Sequence, residues 1–292
     1  MRLGFIGAGR MGRPMVRRLT EAGHEVRVLV RSAEKRKELA EEDARVVGDV
    51  AEVAQGADAV LVCVFTDEQV RDVCLEGELL DGMPSGSAVV VHTTGSPRTV
   101  EAIAARAASH GIHVMDAPVS GGPHDVAAGR ITLFVGGDDE PVARIRPVLR
   151  SYGDPVLHVG PAGAGQRVKL VNNALFAAQI GLLADSVRLG RQLGLDEATL
   201  LEALPHASAA SRALTGVAGR GSVAAFTQVV GGFLGKDVDI VRNLVAELGG
   251  DLGALDDALD TLAGAVMSAG RSVPSQEGWI EERGLARPAN AG

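Results

Sequence analysis

The sequence predicts an α/β protein in which a mostly parallel sheet, covered by helices on both faces, is followed by an all-helical domain. In the first half, short apolar runs alternate with amphipathic stretches of helical period. After residue 165 the strand signals almost vanish and helical patterns dominate. We therefore expect two domains, residues 1–162 and 163–292. The length of 292 residues agrees, since it is more than one hydrophobic core usually serves.

The individual elements follow from the period of the apolar residues. Strands are predicted at residues 3–6, 26–30, 59–65, 88–91, 113–115, 131–135 and 155–159. Helices in the first domain are predicted at 12–22, 33–43, 67–75, 97–110 and 139–150. Helices in the second domain are predicted at 166–193, 196–205, 209–218, 234–249 and 253–270.

Composition narrows the functional class. A formal net charge of −8 argues against nonspecific binding to nucleic acid, which favours clustered Lys and Arg. Cys63 and Cys74 are the two cysteines, too few for a disulfide framework, and the seven histidines show no metal-ligand spacing. The segment 166–193 is long enough to span a bilayer, but charged and amide side chains interrupt it. We expect a cytoplasmic protein with no metal and no membrane or nucleic-acid partner.

A glycine-rich motif directly follows the first predicted strand. The run Gly7-Ala8-Gly9-Arg10-Met11-Gly12 fits the pattern G-x-G-x-x-G and opens a predicted helix. In this pattern the first glycine allows a tight turn, the second lets a pyrophosphate approach the backbone, and the third lets the helix pack closely on the strand. The helix N-terminus then offers N–H groups to the anion. We therefore predict a Rossmann-type dinucleotide-binding domain in which Gly7, Gly9, Arg10, Met11 and Gly12 bind the cofactor.

The end of the second predicted strand indicates which cofactor is preferred. An NAD site usually has Asp or Glu there to bind the ribose 2′-hydroxyl. This chain has Val30-Arg31-Ser32 instead. Arg31 can pair with a 2′-phosphate through two hydrogen bonds, and Ser32 can donate another. The sequence therefore favours NADP(H) over NAD(H).

Two further segments carry polar groups suited to a small substrate. Ser120, Gly121 and Gly122 follow the predicted strand 113–115, at the sheet edge where ligands of such folds bind. A hydroxyl beside closely spaced N–H groups suits a carboxylate, although a polar turn has the same composition. Lys169 and Asn173 are four residues apart on the predicted helix 166–193, so an amine and an amide share one face.

Taken together, the motifs resemble the β-hydroxyacid dehydrogenase family, which includes 3-hydroxyisobutyrate dehydrogenase. The resemblance spans nearly the whole chain. It rests on four motifs in order: Gly7–Met15, Asp116–Gly122, Gly163-Ala164-Gly165 leading into Lys169–Asn173, and Lys236-Asp237.

The resemblance implies a role for each matching residue. It implies that Lys169 is the catalytic lysine, that Asn173 orients the substrate and that Ser120, Gly121 and Gly122 bind its carboxylate. It also implies cofactor contacts for Thr94 near the nicotinamide, for Phe65 in the loop after the fourth sheet strand, and for Lys236 from the helical domain.

Three positions qualify the resemblance. Gly95 replaces the usual apolar residue after the Thr93-Thr94 pair, and His124 occupies a site where small residues are more typical. Asn172 stands where 6-phosphogluconate dehydrogenases have His, which argues against that decarboxylating branch.

The chemistry explains why a lysine suits this position. Oxidising a hydroxy acid requires a base for the hydroxyl proton, and reduction requires an acid; a lysine can do both if its pKa falls from about 10.4 toward roughly 7–8. The start of a helix disfavours a cation, which helps that shift at Lys169. We predict an NADP(H)-dependent oxidoreductase that interconverts a small 3-hydroxy acid and its semialdehyde or keto form, with Lys169 as general acid/base.

Two alternatives stay open. The first is an imine reductase on a similar scaffold, whose members usually lack the lysine. The second is a catalytically inactive binding module, which would be expected to lose Lys169 or Asn173; this chain keeps both.

The helix 166–193 is apolar over much of its circumference. We expect it to be shared with a second subunit, in a homodimer or a tetramer built from dimers. Active sites would then lie in the cleft between the N-terminal domain and this helix.

Overall fold

The computed structural model describes residues 1–30 and 44–270, the side chains of 268–270 excepted. The chain forms two compact units. The first contains Met1–Ala174 and Asp237–Asp251, and the second contains Leu175–Lys236 and the chain from Leu252 onward. The predicted division of the sequence at residues 162–163 stays a prediction.

The first unit is built on one mixed sheet. Its strands are β1 (Arg2–Ile6), β2 (Glu25–Leu29), β3 (Arg45–Val47), β4 (Ala59–Val62), β5 (Ala88–Val91), β6 (His113–Asp116), β7 (Val119–Ser120), β8 (Ile131–Gly136) and β9 (Gly153–Gly160). The parallel strands run in the order β3-β2-β1-β4-β5-β6. Strand β8 is antiparallel to β6 and β7, and β9 is parallel to β8. The predicted mostly parallel sheet is confirmed.

Twelve helices are present in the described residues. Those of the first half are α1 (Gly12–Glu21), α2 (Val50–Ala54), α3 (Asp67–Arg71), α4 (Leu79–Gly82), α5 (Pro97–Ala108), α6 (Pro123–Ala127) and α7 (Asp139–Arg150). Those of the second half are α8 (Ala164–Gln192), α9 (Glu197–Ala203), α10 (Arg212–Ala218), α11 (Val223–Glu247) and α12 (Ala254–Gly270). A π-helical turn, Asp72–Glu76, continues α3, and a 3₁₀ turn, Leu204–His206, follows α9. The change from α/β to all-helical structure is confirmed.

Short elements and one helix start were not predicted correctly. Strands β3 and β7 and helices α2, α4 and α6 have two to five residues each, too few to show a period. Helix α11 begins at Val223, eleven residues before the predicted start at residue 234. The prediction was wrong because Gly231, Gly232 and Gly235 interrupt the helical pattern in the sequence. The predicted helix 33–43 lies outside the described residues.

Two hydrophobic clusters cover the two faces of the sheet. Side chains of a strand alternate between faces, and β4 divides accordingly: Leu61 belongs to one cluster, and Val60 and Val62 belong to the other. Strand β4 is buried along its whole length, which is why its sequence is a continuous apolar run.

Helix α8 is long and apolar enough to cross a membrane by length and composition. It carries a buried row of small and aliphatic side chains, which places it in the protein core: Leu170, Ala174, Ala177, Ala178 and Ile180. A second row, at spacings of four or seven residues, is exposed: Val171, Leu175, Leu182 and Leu189. Such spacings put the exposed residues on one face of the helix. The expected homodimer or tetramer stays a prediction.

Within the second unit, helices α8 and α12 approach each other at Gly181. A methyl group built on Gly181 would collide with the backbone carbonyl of Ala258. The helix backbones can therefore touch only because residue 181 has no side chain. By contrast, a methyl group on Gly232, in α11 of the same unit, would meet no atom within 4 Å.

We expect Gly181→Ala to destabilise the protein by about 1–3 kcal/mol, since a methyl group forced into a packed contact displaces backbone. Gly232→Ala is the matched control, and it should raise stability by up to about 1 kcal/mol through helix propensity. Urea unfolding of the two variants and the wild type measures both effects. Equal stability of Gly181→Ala and wild type would contradict the close approach.

Candidate active site

The glycine-rich loop after β1 has the geometry that its three glycines predict. Gly7 has φ +102°, a backbone conformation that residues other than glycine rarely adopt. A methyl group on Gly12 would collide with the Gly7 carbonyl, so α1 lies directly against the end of β1. A methyl group on Gly9 would meet nothing within 4 Å. The side of the loop at Gly9 is thus open to a ligand.

The N-terminus of α1 is not capped by its own N-cap side chain. Its N-cap residue, Met11, makes no side-chain hydrogen bond to the helix, and the first turn contains no acidic residue. Arg10, next to the opening glycines, is exposed. The positive end of the helix dipole and the open space at Gly9 favour an anion, so the loop fits a dinucleotide pyrophosphate. Arg31 and Ser32, the predicted determinants of cofactor choice, lie outside the described residues.

The loops after β4 and β5 are tied to each other. The Thr93 hydroxyl donates to the Val64 carbonyl at 2.9 Å. Next to this bond, Thr94 is half-buried and Phe65 is 66% exposed. The Phe65 N–H donates to the Gln69 side chain at 2.9 Å, within the cap of α3. An exposed phenyl ring on a fixed backbone is what a stacking contact with a cofactor requires.

The structure explains why residue 95 is glycine. A methyl group at this position would collide with the Asp67 carboxylate. That carboxylate accepts hydrogen bonds from the Ser96 N–H at 3.0 Å and the Thr99 hydroxyl at 2.6 Å. Asp67 therefore fills the space that an apolar side chain would occupy, and it fixes the loop after β5 to the start of α3.

Asp116, at the end of β6, caps the long helix α8. Its two carboxylate oxygens accept hydrogen bonds from the N–H groups of Gly163 and Gln166, each at 2.6 Å. Gly136 and Gly165 surround the carboxylate, and a methyl group on either would come within 3 Å of it. Burial raises the pKa of Asp116 to about 6, although the two N–H groups act in the opposite direction.

Gln166, in the first turn of α8, connects this helix to the loop after β5. Its side chain is fully buried; the amide NH₂ donates to the Thr93 carbonyl at 2.8 Å, and the amide oxygen accepts from the Gly95 N–H at 3.0 Å. Asp116 and Gln166 together hold the start of α8 at the carboxyl ends of β5 and β6.

Lys169 and Asn173 are both buried on α8, at 9% and 3% exposure. The Asn173 amide NH₂ donates to the carboxylate of Asp237, which is itself buried. Its amide oxygen accepts from the Asn172 side chain at 2.9 Å. These bonds fix the orientation of the Asn173 amide, because a carboxylate can only accept. Lys236, the predicted cofactor contact that precedes Asp237, is half-buried on α11.

The loop of Ser120, Gly121 and Gly122 joins β7 to α6. The Gly122 N–H donates to the Asp125 carboxylate at 2.8 Å, which caps α6. Gly121 has φ +136°, and a methyl group there would come 2.7 Å from Asp125. Within the described part of the chain, the Ser120 hydroxyl and the Gly121 N–H make no hydrogen bond, so both are available to a ligand.

Sequence reasoning found Lys169, Asn173 and the loop at 120–122, but it assigned no role to the residues that hold them. Asp116 and Asp237 lie inside motifs of the family resemblance, but no role was predicted for either of them. No role was predicted for Gln166. A signal for Asp116 existed: the run 160–165 contains only Gly, Pro and Ala, so α8 has no capping side chain of its own. No pattern in the sequence pointed to Gln166.

Known proteins with similar sequences and structures identify the family of this chain. Residues 2–160 match the NAD-binding domain of 6-phosphogluconate dehydrogenase, and residues 163–273 match a domain described as the NAD-binding domain of NADP-dependent 3-hydroxyisobutyrate dehydrogenase. The 3-hydroxyisobutyrate dehydrogenase of Pseudomonas aeruginosa is 34% identical over 213 residues, which cover 73% of this chain and 72% of that protein. The NAD-dependent L-serine dehydrogenase of the same organism is 35% identical over 215 residues, covering 73% and 72%.

A solved structure is similar over nearly the whole chain. It is the 3-hydroxyisobutyrate dehydrogenase of Mycobacterium tuberculosis with L-serine, with a TM-score of 0.81, 28% identity and coverage of 90% of this chain and 92% of that one. Fold, dinucleotide loop and relatives define an NAD(P)-dependent dehydrogenase that acts on CH–OH groups. The chain belongs to the β-hydroxyacid dehydrogenase family, the family of 3-hydroxyisobutyrate dehydrogenase.

The raised pKa of Asp116 makes a prediction about pH. The pKa of Asp116 is about 6 in the folded state and about 3.8 in the unfolded chain. Burial of the charged carboxylate therefore lowers the stability of the folded state above pH 6, and this loss disappears as protons bind between pH 6 and pH 4. The side chain in Asp116→Asn does not titrate, so the stability of this variant does not gain this contribution. The stability of wild type relative to the variant should therefore increase by about 2 kcal/mol from pH 7 to pH 4. Urea unfolding at four pH values measures it, and a constant difference would contradict the burial of a charged cap.

Proposed function

We propose that this dehydrogenase interconverts a small 3-hydroxy acid and its semialdehyde or keto form, with NADP(H) as cofactor and Lys169 as the general acid/base. The observation that carries the proposal is the buried pair Lys169 and Asn173, one helical turn apart on α8. The start of that helix is held at the carboxyl edge of the sheet by Asp116 and Gln166.

The residues of this chain would divide the chemistry as follows. The bound cofactor accepts or supplies the hydride. In oxidation, the Lys169 Nζ takes the proton of the substrate hydroxyl as the carbonyl forms; in reduction, it returns a proton to the developing alkoxide. Asn173 would hold the same oxygen in place, since its amide is already oriented by Asp237 and Asn172. The proposal thus places one acid/base and one orienting group at a single oxygen atom.

The loop at Ser120–Gly122 would bind the substrate carboxylate. The Ser120 hydroxyl and the Gly121 N–H can both donate to a carboxylate oxygen. The hydrogen bond that the Gly122 N–H donates to the Asp125 carboxylate supports this role, because it fixes the backbone of the loop before a ligand arrives. A preorganised donor pair binds an anion without the cost of ordering a flexible loop.

Preference for NADP(H) is supported by the sequence at residues 30–32, where no acidic residue is present and Arg31 follows the strand. An arginine pairs with a 2′-phosphate through two charge-assisted hydrogen bonds, whereas NAD offers it only a hydroxyl. The matching domain is described as NADP-dependent and one relative as NAD-dependent, so the proposed preference rests on the residues of this chain alone.

The first experiment is NADPH oxidation over a panel of semialdehydes and keto acids. Lys169→Ala should lower turnover by about 10²–10⁴-fold, the usual contribution of a positioned acid/base. The variant should still bind NADPH, and calorimetric titration of NADPH provides that control. Retention of most of the turnover by Lys169→Ala would overturn the assignment.

The same panel separates the alternatives. Turnover of cyclic imines with no turnover of any carbonyl acid would indicate an imine reductase. Tight NADPH binding with no turnover of either class would indicate a binding module. Both results would contradict the proposed 3-hydroxy acid chemistry.

For the cofactor, we expect the dissociation constant of NADPH to be lower than that of NADH. Arg31→Ala should weaken NADPH binding by about 10–100-fold, the usual cost of a lost charge-assisted hydrogen-bond pair, and should leave NADH binding nearly unchanged. Calorimetric titration of the two cofactors into wild type and variant measures the effect. Equal or tighter binding of NADH by the wild type would exclude the preference.

A further inference from the structure

Two polar side chains that the proposed chemistry does not use are buried beneath the carboxyl ends of the strands. His92 directly follows β5 and is 2% exposed; Tyr152 directly precedes β9 and is 0% exposed. A polar group without a partner is costly to bury, so a buried His–Tyr pair persists only where its hydrogen bonds are made.

The pair forms a chain of hydrogen bonds that ends on a backbone carbonyl. The His92 Nδ1 lies 2.7 Å from the Ala117 carbonyl oxygen, and its Nε2 lies 2.9 Å from the Tyr152 hydroxyl. A carbonyl can only accept, so Nδ1 carries the proton and Nε2 accepts from the tyrosine. The two rings meet edge to face, with centroids 5.7 Å apart and planes at 83°. The Ala117 carbonyl therefore fixes the tautomer of the imidazole, and Tyr152 fixes the tilt of its ring.

Charge plays no part in this arrangement. Burial lowers the pKa of His92 to about 4 and raises the pKa of Tyr152 well above its usual value. Both groups are neutral at ordinary pH. Their contribution is to orient the hydrogen bond from His92 to the Ala117 carbonyl.

Ala117 is the point where the chain leaves the sheet toward the substrate loop. Its N–H still donates to the Val91 carbonyl at 2.8 Å, but β5 ends at Val91. The Ala117 carbonyl thus lies beyond the last residue of β5, and the His92 side chain supplies its donor. One residue later, the Pro118 carbonyl accepts from the Phe134 N–H at 3.1 Å, and then β7 pairs with β8. The peptide carbonyl of Ala117, just before the loop, is thus bound by the His92 side chain, because β5 has already ended at Val91.

We propose that His92 and Tyr152 are positioning residues, which set the place of the carboxylate-binding loop Ser120–Gly122 by holding the Ala117 carbonyl. This inference rests on the proposed role of that loop. A purely structural pair would contribute to stability alone. A positioning pair affects the affinity for the carboxylate substrate in particular, and it affects the rate of the chemical step and the binding of NADPH much less.

Tyr152→Phe tests the proposal, because it removes one oxygen atom and leaves the ring in place. We expect KM for the carbonyl acid found in the panel to rise about threefold to tenfold, the effect of losing one hydrogen bond, with kcat changed less than twofold. The dissociation constant of NADPH should be unchanged. Hydrogen exchange of the hydrogen-bonded amides within Val119–Gly122, such as that of Gly122, should become faster.

A matched control separates positioning from stability. Ile103→Val, in α5, also removes one buried heavy atom, but from the core cluster that does not contain Tyr152. It should lower the unfolding midpoint by a similar amount and leave KM and the exchange of residues 119–122 as in wild type. A second variant, His92→Phe, removes the donor to Ala117 and should reproduce the effect of Tyr152→Phe or exceed it.

The outcomes are distinct. If Tyr152→Phe keeps the wild-type KM and the wild-type exchange rates, or if Ile103→Val changes them equally, the positioning role is overturned. Hydrogen exchange needs no substrate, so it decides the question even if no member of the panel is turned over. In that case the proposed function would fail while the link from Tyr152 to the loop could still be measured.

Discussion

The site depends on one interaction, the capping of helix α8 by the carboxylate of Asp116. A helix leaves its first N–H groups without partners, and α8 opens with glycines, proline and alanine, none of which can cap it. Asp116 supplies the acceptor from the end of β6, across a long separation in sequence. The bond defines where α8 begins relative to the sheet. Lys169 and Asn173 inherit their positions from it, because a helix is rigid over two turns.

Close packing at the carboxyl edge of the sheet makes this capping possible. Gly136 and Gly165 leave room for the Asp116 carboxylate, Gly95 leaves room for that of Asp67, and Gly12 lets α1 lie against the loop at Gly7. Each of these glycines is adjacent to a backbone group or a carboxylate that any side chain would displace. Glycines lie beside the Asp116 and Asp67 carboxylates because such a carboxylate needs N–H donors close to it. The same edge then presents its remaining donors, at Ser120 and Gly121, to solvent.

Much of this could be predicted from the sequence, for reasons that particular elements make clear. The buried strand β4 and the helix α7 were recognised because their apolar period is uninterrupted. The glycine loop and the spacing of Lys169 and Asn173 are local patterns, readable along the chain. The start of α11 was not predicted because three glycines interrupt the helical period of its apolar residues. Asp116, Gln166 and the pair of His92 with Tyr152 were missed for a deeper reason. Their partners are distant in sequence, and only the fold brings them together.

The cap of α8 has a consequence for how chains of this kind can change in length. A residue added to a helix turns everything beyond it by about 100° and advances it by about 1.5 Å. Because Asp116 and Gln166 fix the first turn, an insertion or deletion between Gly163 and Lys169 would move the amine to another face of the helix. The connection between α9 and α10, at residues 207–211, lies outside this helix, so a change in its length would not turn Lys169 about the helix axis. The number of residues from 163 to 173 is therefore fixed by the position that the Lys169 amine must take.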